Sequence, residues 1–429
     1  MSFILRHLIL ILTLLLVFHR PCLPEEKEED YYRNYEELVK IVKLIQEKYI
    51  EEVGLSELLT GAYRGMLEGL DPYSQFIDPE ELEELRVETE GKFGGLGIEV
   101  VVRDGILTVI TPIIDSPAFR AGVMVGDKIV KIEGKTTDNM SLREAIQRLR
   151  GKPGTPANIT VIHHGETEPI DITIVRDIIS VKSIRGTRIL DGEKGIGYVA
   201  LTNFQDNTAQ EMDNTINNLL AKGMKSLILD LRFNPGGLLN VAIDVADRFL
   251  EEGVIVSTQG RDEAQNSIHY AKRPETYPAF PLVVLVNNGS ASASEIVAGA
   301  IKDLKRGLLV GTKTFGKGSV QSLVTVEEGH CALKLTTAKY YTPSGKSIHE
   351  IGVEPDVIVQ LNPAETRQLH EYLAKINNIN TFIEDDRQED IYEQGEFIDL
   401  QLQKAVEILR GPQLYSKLLN SISNVNPGY

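Results

Sequence analysis

Between positions 195 and 311, four short apolar runs alternate with three stretches of helical periodicity, and this alternation constrains the fold more than any other feature of the chain. Residues 195–201, 226–231, 282–286 and 308–311 have the length and β-branched content of strands. Residues 208–220, 238–250 and 295–304 repeat their apolar positions at helical spacing. Strand and helix in alternation predict an α/β sheet built from crossover units, whose loops at the strand ends are the natural place for chemistry.

Two loops carry that chemistry. Ser290-Ala291-Ser292-Ala293-Ser294-Glu295 follows the apolar run through Asn287-Asn288-Gly289 and opens a predicted helix. A serine on such a turn has an exposed hydroxyl, nearby unpaired N–H groups, and the positive end of a helix dipole, as acyl transfer requires. Taken alone, the block serves equally well as a helix cap, with Ser as N-cap and Glu in the first turn. Gly316-Lys317-Gly318-Ser319-Val320-Gln321 shifts the balance by supplying an amine. If residues 315–324 are extended, Lys317, Ser319 and Gln321 share one face, and Gln321 can orient the amine. Holding a lysine neutral at pH 7 costs about 4.6 kcal/mol from a reference pKa near ~10.4. Burial by the flanking Phe315, Val320 and Leu323 is the expected means of lowering it. The residues alone do not choose among the three serines. Asn234-Pro235-Gly236-Gly237 forms the turn between a buried strand and the helix after it, where glycine lets backbone approach a substrate carbonyl.

Residues 91–177 resemble a PDZ domain. Gly94-Gly95-Leu96-Gly97 precedes a strand starting at Ile98, and Ser116-Pro117-Ala118 through Gly122 leads to Val125-Gly126-Asp127 and a further strand. Glycine-loop N–H groups can cradle a terminal carboxylate while the strand pairs with the peptide. A helix over 141–150 would face that strand with Leu142, Ile146 and Leu149, predicting an apolar groove for apolar C-terminal tails.

These segments, with Gly61 to Asp78, Leu229 to Gly237, Thr314 to Gln321 and Tyr340 to Ser347, resemble the carboxyl-terminal processing (tail-specific) proteases over roughly residues 30–410. The resemblance implies a serine endopeptidase with a Ser/Lys dyad that captures a substrate's tail in its PDZ domain. It points to Ser292 as nucleophile, Lys317 as base and Gln321 as orienting amide. The oxyanion hole would come from Ala293 and the turn at Gly236 and Gly237. Arg176, at the end of the PDZ segment, is by its interdomain location a candidate coupling residue between groove and dyad, with ordinary surface solvation the favoured alternative. Phe233 departs from the small or polar residue that the family more often carries there. The implied organisation is an α/β multidomain chain: 1–24 a signal peptide or membrane anchor, 25–90 a helical domain, 91–177 the PDZ domain, 178–360 the protease core and 361–429 a helical C-terminal segment.

The remaining sequence narrows the alternatives. Of the eight histidines only His349 approaches these motifs, and there is no HExxH, CxxC pair or dense His/Asp cluster, so neither a histidine triad nor a metal or other cofactor is expected. A net charge of -17 argues against nucleic acid. Arg6 and His7 precede the apolar stretch 8–18, which reads as an export signal directing the chain to the periplasm or cell envelope. No A-x-A site follows, so an uncleaved inner-membrane anchor over 3–18 is the alternative. Residues 25–30 read as a charged linker, and 35–49 and 55–70 as helices; the resemblance implies that this region can join subunits, a dimer included, with packing inside one chain as the alternative. Expected partners are protein substrates with apolar tails and an adaptor or activator. The rival readings are a catalytically inactive PDZ peptide-binding protein and an acyl-CoA-type enzyme; the intact Ser292, Lys317 and Gln321 set argues against the first, and the PDZ segment against the second.

Overall fold

The computed structural model describes residues 26–103, 105–113, 116–163, 165–326, 331–379 and 397–423. The export signal or anchor expected over 1–24 lies outside them. The chain divides into two compact units at Phe76/Ile77.

The first unit holds α1 (Glu26–Lys48) and α2 (Leu55–Glu68). Helix α1 begins earlier than its apolar periodicity suggested, so residues 26–30 are helical rather than linker. The short strand β1 (Gln75–Ile77) straddles the division.

The second unit opens with α3 (Pro79–Glu90), closed at its start by a reciprocal capping box. Asp78 accepts from the Glu80 and Glu81 N–H groups, and Glu81 accepts from Asp78 N–H. Next come β2 (Lys92–Gly95), β3 (Ile98–Arg103), β4 (Ile106–Pro112), α4 (Pro117–Arg120), β5 (Lys128–Ile132), β6 (Lys135–Thr136), α5 (Leu142–Leu149), β7 (Pro156–Ile162), β8 (Ile170–Val175) and β9 (Asp177–Ser180). Strands β3-β4-β5-β7-β8 form an antiparallel sheet with β3 at one edge, and β2 pairs with β9 where the chain enters and leaves. Their inward residues, Leu107, Val109, Ile129, Ile159 and Val161 among them, make a core of their own with Ala145 and Leu149 of α5.

The remaining elements are β10 (Ile184–Asp191), β11 (Ile196–Leu201), α6 (Thr208–Ala221), β12 (Ser226–Asp230), α7 (Leu239–Asp247), β13 (Val254–Gly260), β14 (Ser267–Tyr270), β15 (Leu282–Val286), α8 (Ala293–Asp303), β16 (Leu308–Gly311), β17 (Ser319–Val326), β18 (Cys331–Tyr341), β19 (Val357–Ile358), α9 (Pro363–Ile379), α10 (Leu400–Arg410) and α11 (Pro412–Ser423). One sheet runs β10-β11-β12-β15-β16-β19, parallel from β11 onward. The four predicted strands are its centre. Successive residues face opposite sides: Leu227 and Leu229 pack toward α6, α7 and α8, whereas Ile228 packs toward α10 and α11. Burial on both faces explains why these strands read as continuous apolar runs. A second sheet, in which β18 pairs with β17 and β13, and β13 with β14, is antiparallel; its long hairpin follows the lysine loop.

Candidate active site

The serine block forms the elbow between β15 and α8. Ser290 and Ser294 are buried, and each hydroxyl donates to a backbone carbonyl across the elbow: Ser290 Oγ to Leu231 O at 2.7 Å, Ser294 Oγ to Asn234 O at 3.0 Å. Asn287 Oδ1 accepts from Gly289 N–H at 2.9 Å and Phe233 N–H at 3.0 Å, which fixes the turn. Ser292 is different. It is half-buried at the N-cap of α8 with φ 56°, a left-handed conformation that β-carbons disfavour and that recurs at functional sites. The structure therefore separates the three serines, which the sequence alone could not do.

Opposite lies the turn after β12. Asn234 is fully buried; its Nδ2 donates to Leu201 O at 2.7 Å and its backbone carbonyl accepts from Ala291 N–H at 3.0 Å. Gly236 has φ +105°, and a Cβ on it would lie 2.8 Å from Ser292 Cβ and 2.9 Å from Ala293 N. Glycine here is what lets the turn meet the elbow. The Gly236 N–H donates to Asn234 Oδ1 at 2.9 Å, which ties the turn to its own asparagine. Ala293 opens α8, where N–H groups have no partner within the helix. Phe233 (φ 58°) packs edge-on against His370 of α9, ring centroids 4.9 Å apart.

Lys317 lies in the loop before β17, not on an extended strand shared with Gln321, because β17 begins at Ser319. Gln321 Nε2 donates to Ser319 Oγ at 2.8 Å and reaches Thr336 Oγ1 at 3.4 Å. Burial lowers the Lys317 pKa from its ordinary value; the positive charge of Lys334 on β18 adds to this, and the Glu295 carboxylate opposes it. The expected apolar flank is not the cause, since Phe315 and Leu323 are both exposed and only Val320 packs against the core.

Glu295 carries a role that its sequence position disguised. It is fully buried, and its carboxylate accepts four bonds: Oε1 from Thr314 Oγ1 (2.6 Å) and Gly316 N–H (2.7 Å), Oε2 from Lys317 N–H (2.8 Å) and Ser292 N–H (2.9 Å). Desolvation raises its pKa, while these bonds pull the other way. The signal available in the sequence was only a Glu at the third position of a helix. His349 lies beside Gly318; its Nδ1 is buried without a hydrogen-bond partner, and its Nε2 is 4.0 Å from Glu350 Oε1. Among the described residues no group of three or more His, Cys, Asp or Glu is placed to hold a metal.

In the domain spanning β2 to β9, β3 forms an edge of the five-stranded sheet, with Ile98 and Val100 packed against the core. On α5, Leu149 is buried, Ile146 is half-buried and Leu142 remains exposed. Of the glycine run, Gly94 and Gly95 belong to β2 and pair with β9, Leu96 is a core residue, and Gly97 (φ +75°) turns the chain into β3. Arg176 hydrogen-bonds the carbonyls of Arg148, Leu149 and Pro156 and the hydroxyl of Thr155. All four belong to the domain's own α5 and β7 region, so in this structure Arg176 caps α5. Helix α3 leans on the other side of α5, with Glu84 bonded to Arg143 at 3.2 Å and Glu80 to Gln147 at 3.0 Å.

Three family models match the chain: peptidase family S41 over residues 195–359, the PDZ domain over 94–174, and the activating protease CtpB N-terminal domain over 22–81. It is 43% identical to the carboxy-terminal-processing protease of Bartonella bacilliformis over 78% of this chain and 76% of that one. With the carboxyl-terminal-processing protease of Synechocystis it shares 38% identity over 74% of this chain and 75% of the relative. With Bacillus subtilis carboxy-terminal processing protease CtpA it shares 34% over 82% and 74%.

Proposed function

Because the chain belongs to the carboxy-terminal-processing proteases, serine-type peptidases with a PDZ domain, we propose that its reaction runs on Ser292 as nucleophile and Lys317 as general base. One observation carries this assignment: the hydroxyls of Ser290 and Ser294 are committed to buried carbonyls, while Ser292 stands on a strained elbow whose N–H shares Glu295 Oε2 with the N–H of Lys317.

The neutral Lys317 amine takes the Ser292 hydroxyl proton as Oγ attacks the substrate carbonyl carbon. The carbonyl oxygen becomes an oxyanion, met by the N–H groups of Ala293 and Gly237 and by the positive end of α8. Gly236 serves by having no side chain. Collapse of the tetrahedral species breaks the C–N bond, and Lys317 returns its proton to the leaving amine. A water then attacks the acyl-enzyme; Lys317 takes its proton and passes it to Ser292 Oγ as the acid product leaves. Gln321, two residues into β17, is the amide that orients the Lys317 amine during the cycle. The depressed lysine pKa supports this cycle, since it reduces the cost of starting with a neutral base.

The PDZ domain binds peptide or protein substrate. The tail adds to the free edge of β3, its carboxylate at the Leu96–Gly97 turn and its apolar side chains against Leu142 and Ile146. Residues 1–24 direct the chain to the cell envelope, and the exposed apolar residues of α1, among them Leu38, Val39, Ile41 and Leu44, support self-association through the first unit. The match to an activating-protease N-terminal domain supports a partner that sets activity.

The test is cleavage of a loosely folded protein with an apolar C-terminus, followed by mass spectrometry, for wild type, Ser292→Ala and Lys317→Ala. The expected result is cleavage by wild type alone, weakened when the substrate's last residues are made charged. Undiminished cleavage by either variant would refute the dyad.

A further inference from the structure

We propose that Glu295 is the positioning residue of the site, fixing nucleophile and base relative to each other; the proposal rests on the Ser292 and Lys317 assignment. A capping glutamate needs to accept only one bond, from the N-cap N–H, and ordinarily does so at the surface. Glu295 goes further. Its carboxylate is wholly buried and takes donors from both loops, Ser292 on its own elbow and Thr314, Gly316 and Lys317 from 19 to 22 residues downstream. Four donors fill the acceptor capacity of an ionised carboxylate. Oε2 alone joins the two reacting residues, accepting the Lys317 and Ser292 N–H groups at 2.8 and 2.9 Å. Thr314 extends the clamp, because its Oγ1 also accepts Val353 N–H at 2.6 Å.

The charge of Glu295 works against the base. A carboxylate near Lys317 favours the ammonium form, whereas burial and Lys334 favour the amine. Electrostatic tuning of the lysine would leave this position neutral. A buried carboxylate that hinders deprotonation is therefore explained by geometry: only an ionised carboxylate can accept from four donors at once. Groups facing the lysine loop are Lys334 from β18 and Glu295 from α8, with His349 and Glu350 in the segment packed over Gly316 and Gly318.

Glu295→Gln separates the two effects. The amide keeps the shape but has one acceptor oxygen, so two of the four donors face an NH2 group. The expected result is kcat lower by about 100-fold with KM and tail-peptide binding unchanged, since misplacement of reacting groups by about 1 Å costs that much. The acid limb of the kcat/KM–pH profile moves to lower pH, because the charge that stabilised the ammonium is gone. A structural role alone would lower Tm and leave both kcat per folded molecule and the limb in place. Thr314→Val removes one donor and keeps the charge. It should lower kcat roughly tenfold without moving the limb, and Thr314→Ser should restore it. Wild-type kcat and pH profile in a folded Glu295→Gln would overturn the proposal. If that variant does not fold, equal activity of Thr314→Val and Thr314→Ser does so. Cleavage that survives Ser292→Ala and Lys317→Ala would instead refute the dyad, and the proposal would fall with it.

Discussion

Asp399→Ala tests how the C-terminal segment supports the catalytic turn. Arg232, two residues before Asn234, is fully buried in side chain and surrounded by Asp230, Asp399 and Gln401. Asp399 takes a two-pronged bond from it, Nη1 to Oδ1 at 2.9 Å and Nη2 to Oδ2 at 2.8 Å. Tyr198 donates to Asp230 at 2.8 Å, closing the network. Burial disfavours the guanidinium charge, yet the two aspartates more than offset it and hold its pKa well above the ordinary value. Breaking a buried pair by removing one partner costs about 3–5 kcal/mol. Asp399 also caps α10 by accepting Leu402 N–H at 3.0 Å, worth about 1 kcal/mol. Together these predict a loss of roughly 4–6 kcal/mol, and at about 2–4 °C per kcal/mol a Tm lower by roughly 10–20 °C in scanning calorimetry. Asp399→Asn keeps the cap and one acceptor and should lose about half as much. Arg232→Met should lose more than either, because it strands two buried carboxylates. A shift below about 4 °C for Asp399→Ala would refute the reasoning.

Two further outcomes follow from the same geometry. Gly236→Ala adds about 1–3 kcal/mol of backbone strain at φ +105° and drives a Cβ against Ser292, so cleavage should fall by more than about 100-fold, whereas Gly105→Ala (φ +77°), with nothing near its Cβ, should lose stability alone; equal activity of the two would refute the contact. Lys317 binds fewer protons folded than unfolded between its depressed pKa and the ordinary lysine value. Stability should therefore rise with pH across that window and be lost as pH falls through the folded pKa. Lys317→Met removes that slope, so denaturant midpoints should show it more stable than wild type at neutral pH and converging with it toward pH ~10; parallel curves would refute the burial argument.

The parts that sequence made legible are those governed by short-range periodicity. Strands 282–286 and 308–311 were recovered with their boundaries because residues buried on both faces admit no polar interruption. The serine elbow and the Gly236–Gly237 turn were legible because glycine and serine cluster where backbones meet. Interactions between distant segments were not. Nothing near Glu295 announces the four donors that converge on it, and nothing near Asp399 announces Arg232, 167 positions away. The C-terminal segment carries no motif that announces a role, yet α10 and α11 cover one face of the sheet, and Asp399 before α10 holds the arginine. The valine and serine content of 315–324 is compatible with a strand through Lys317, whereas the lysine's loop is held by a carboxylate on α8.

This distribution explains why the site tolerates features that would destabilise an isolated loop. Ser292 and Phe233 hold left-handed conformations, Glu295 buries a charge and Lys317 is partly desolvated. Each is unfavourable by itself. The elbow, the Asn234 turn and the lysine loop compensate by bonding to one another. Ala291 N–H and Ser294 Oγ–H donate to Asn234 O, Phe315 N–H donates to Ser290 O, and Glu295 gathers the rest. Relaxing any one strained residue would break bonds in the other two loops, so the strained state is the one the network favours. Substitutions within these loops should accordingly behave non-additively, whereas a pair drawn from the elbow and from the β3–α5 groove should add.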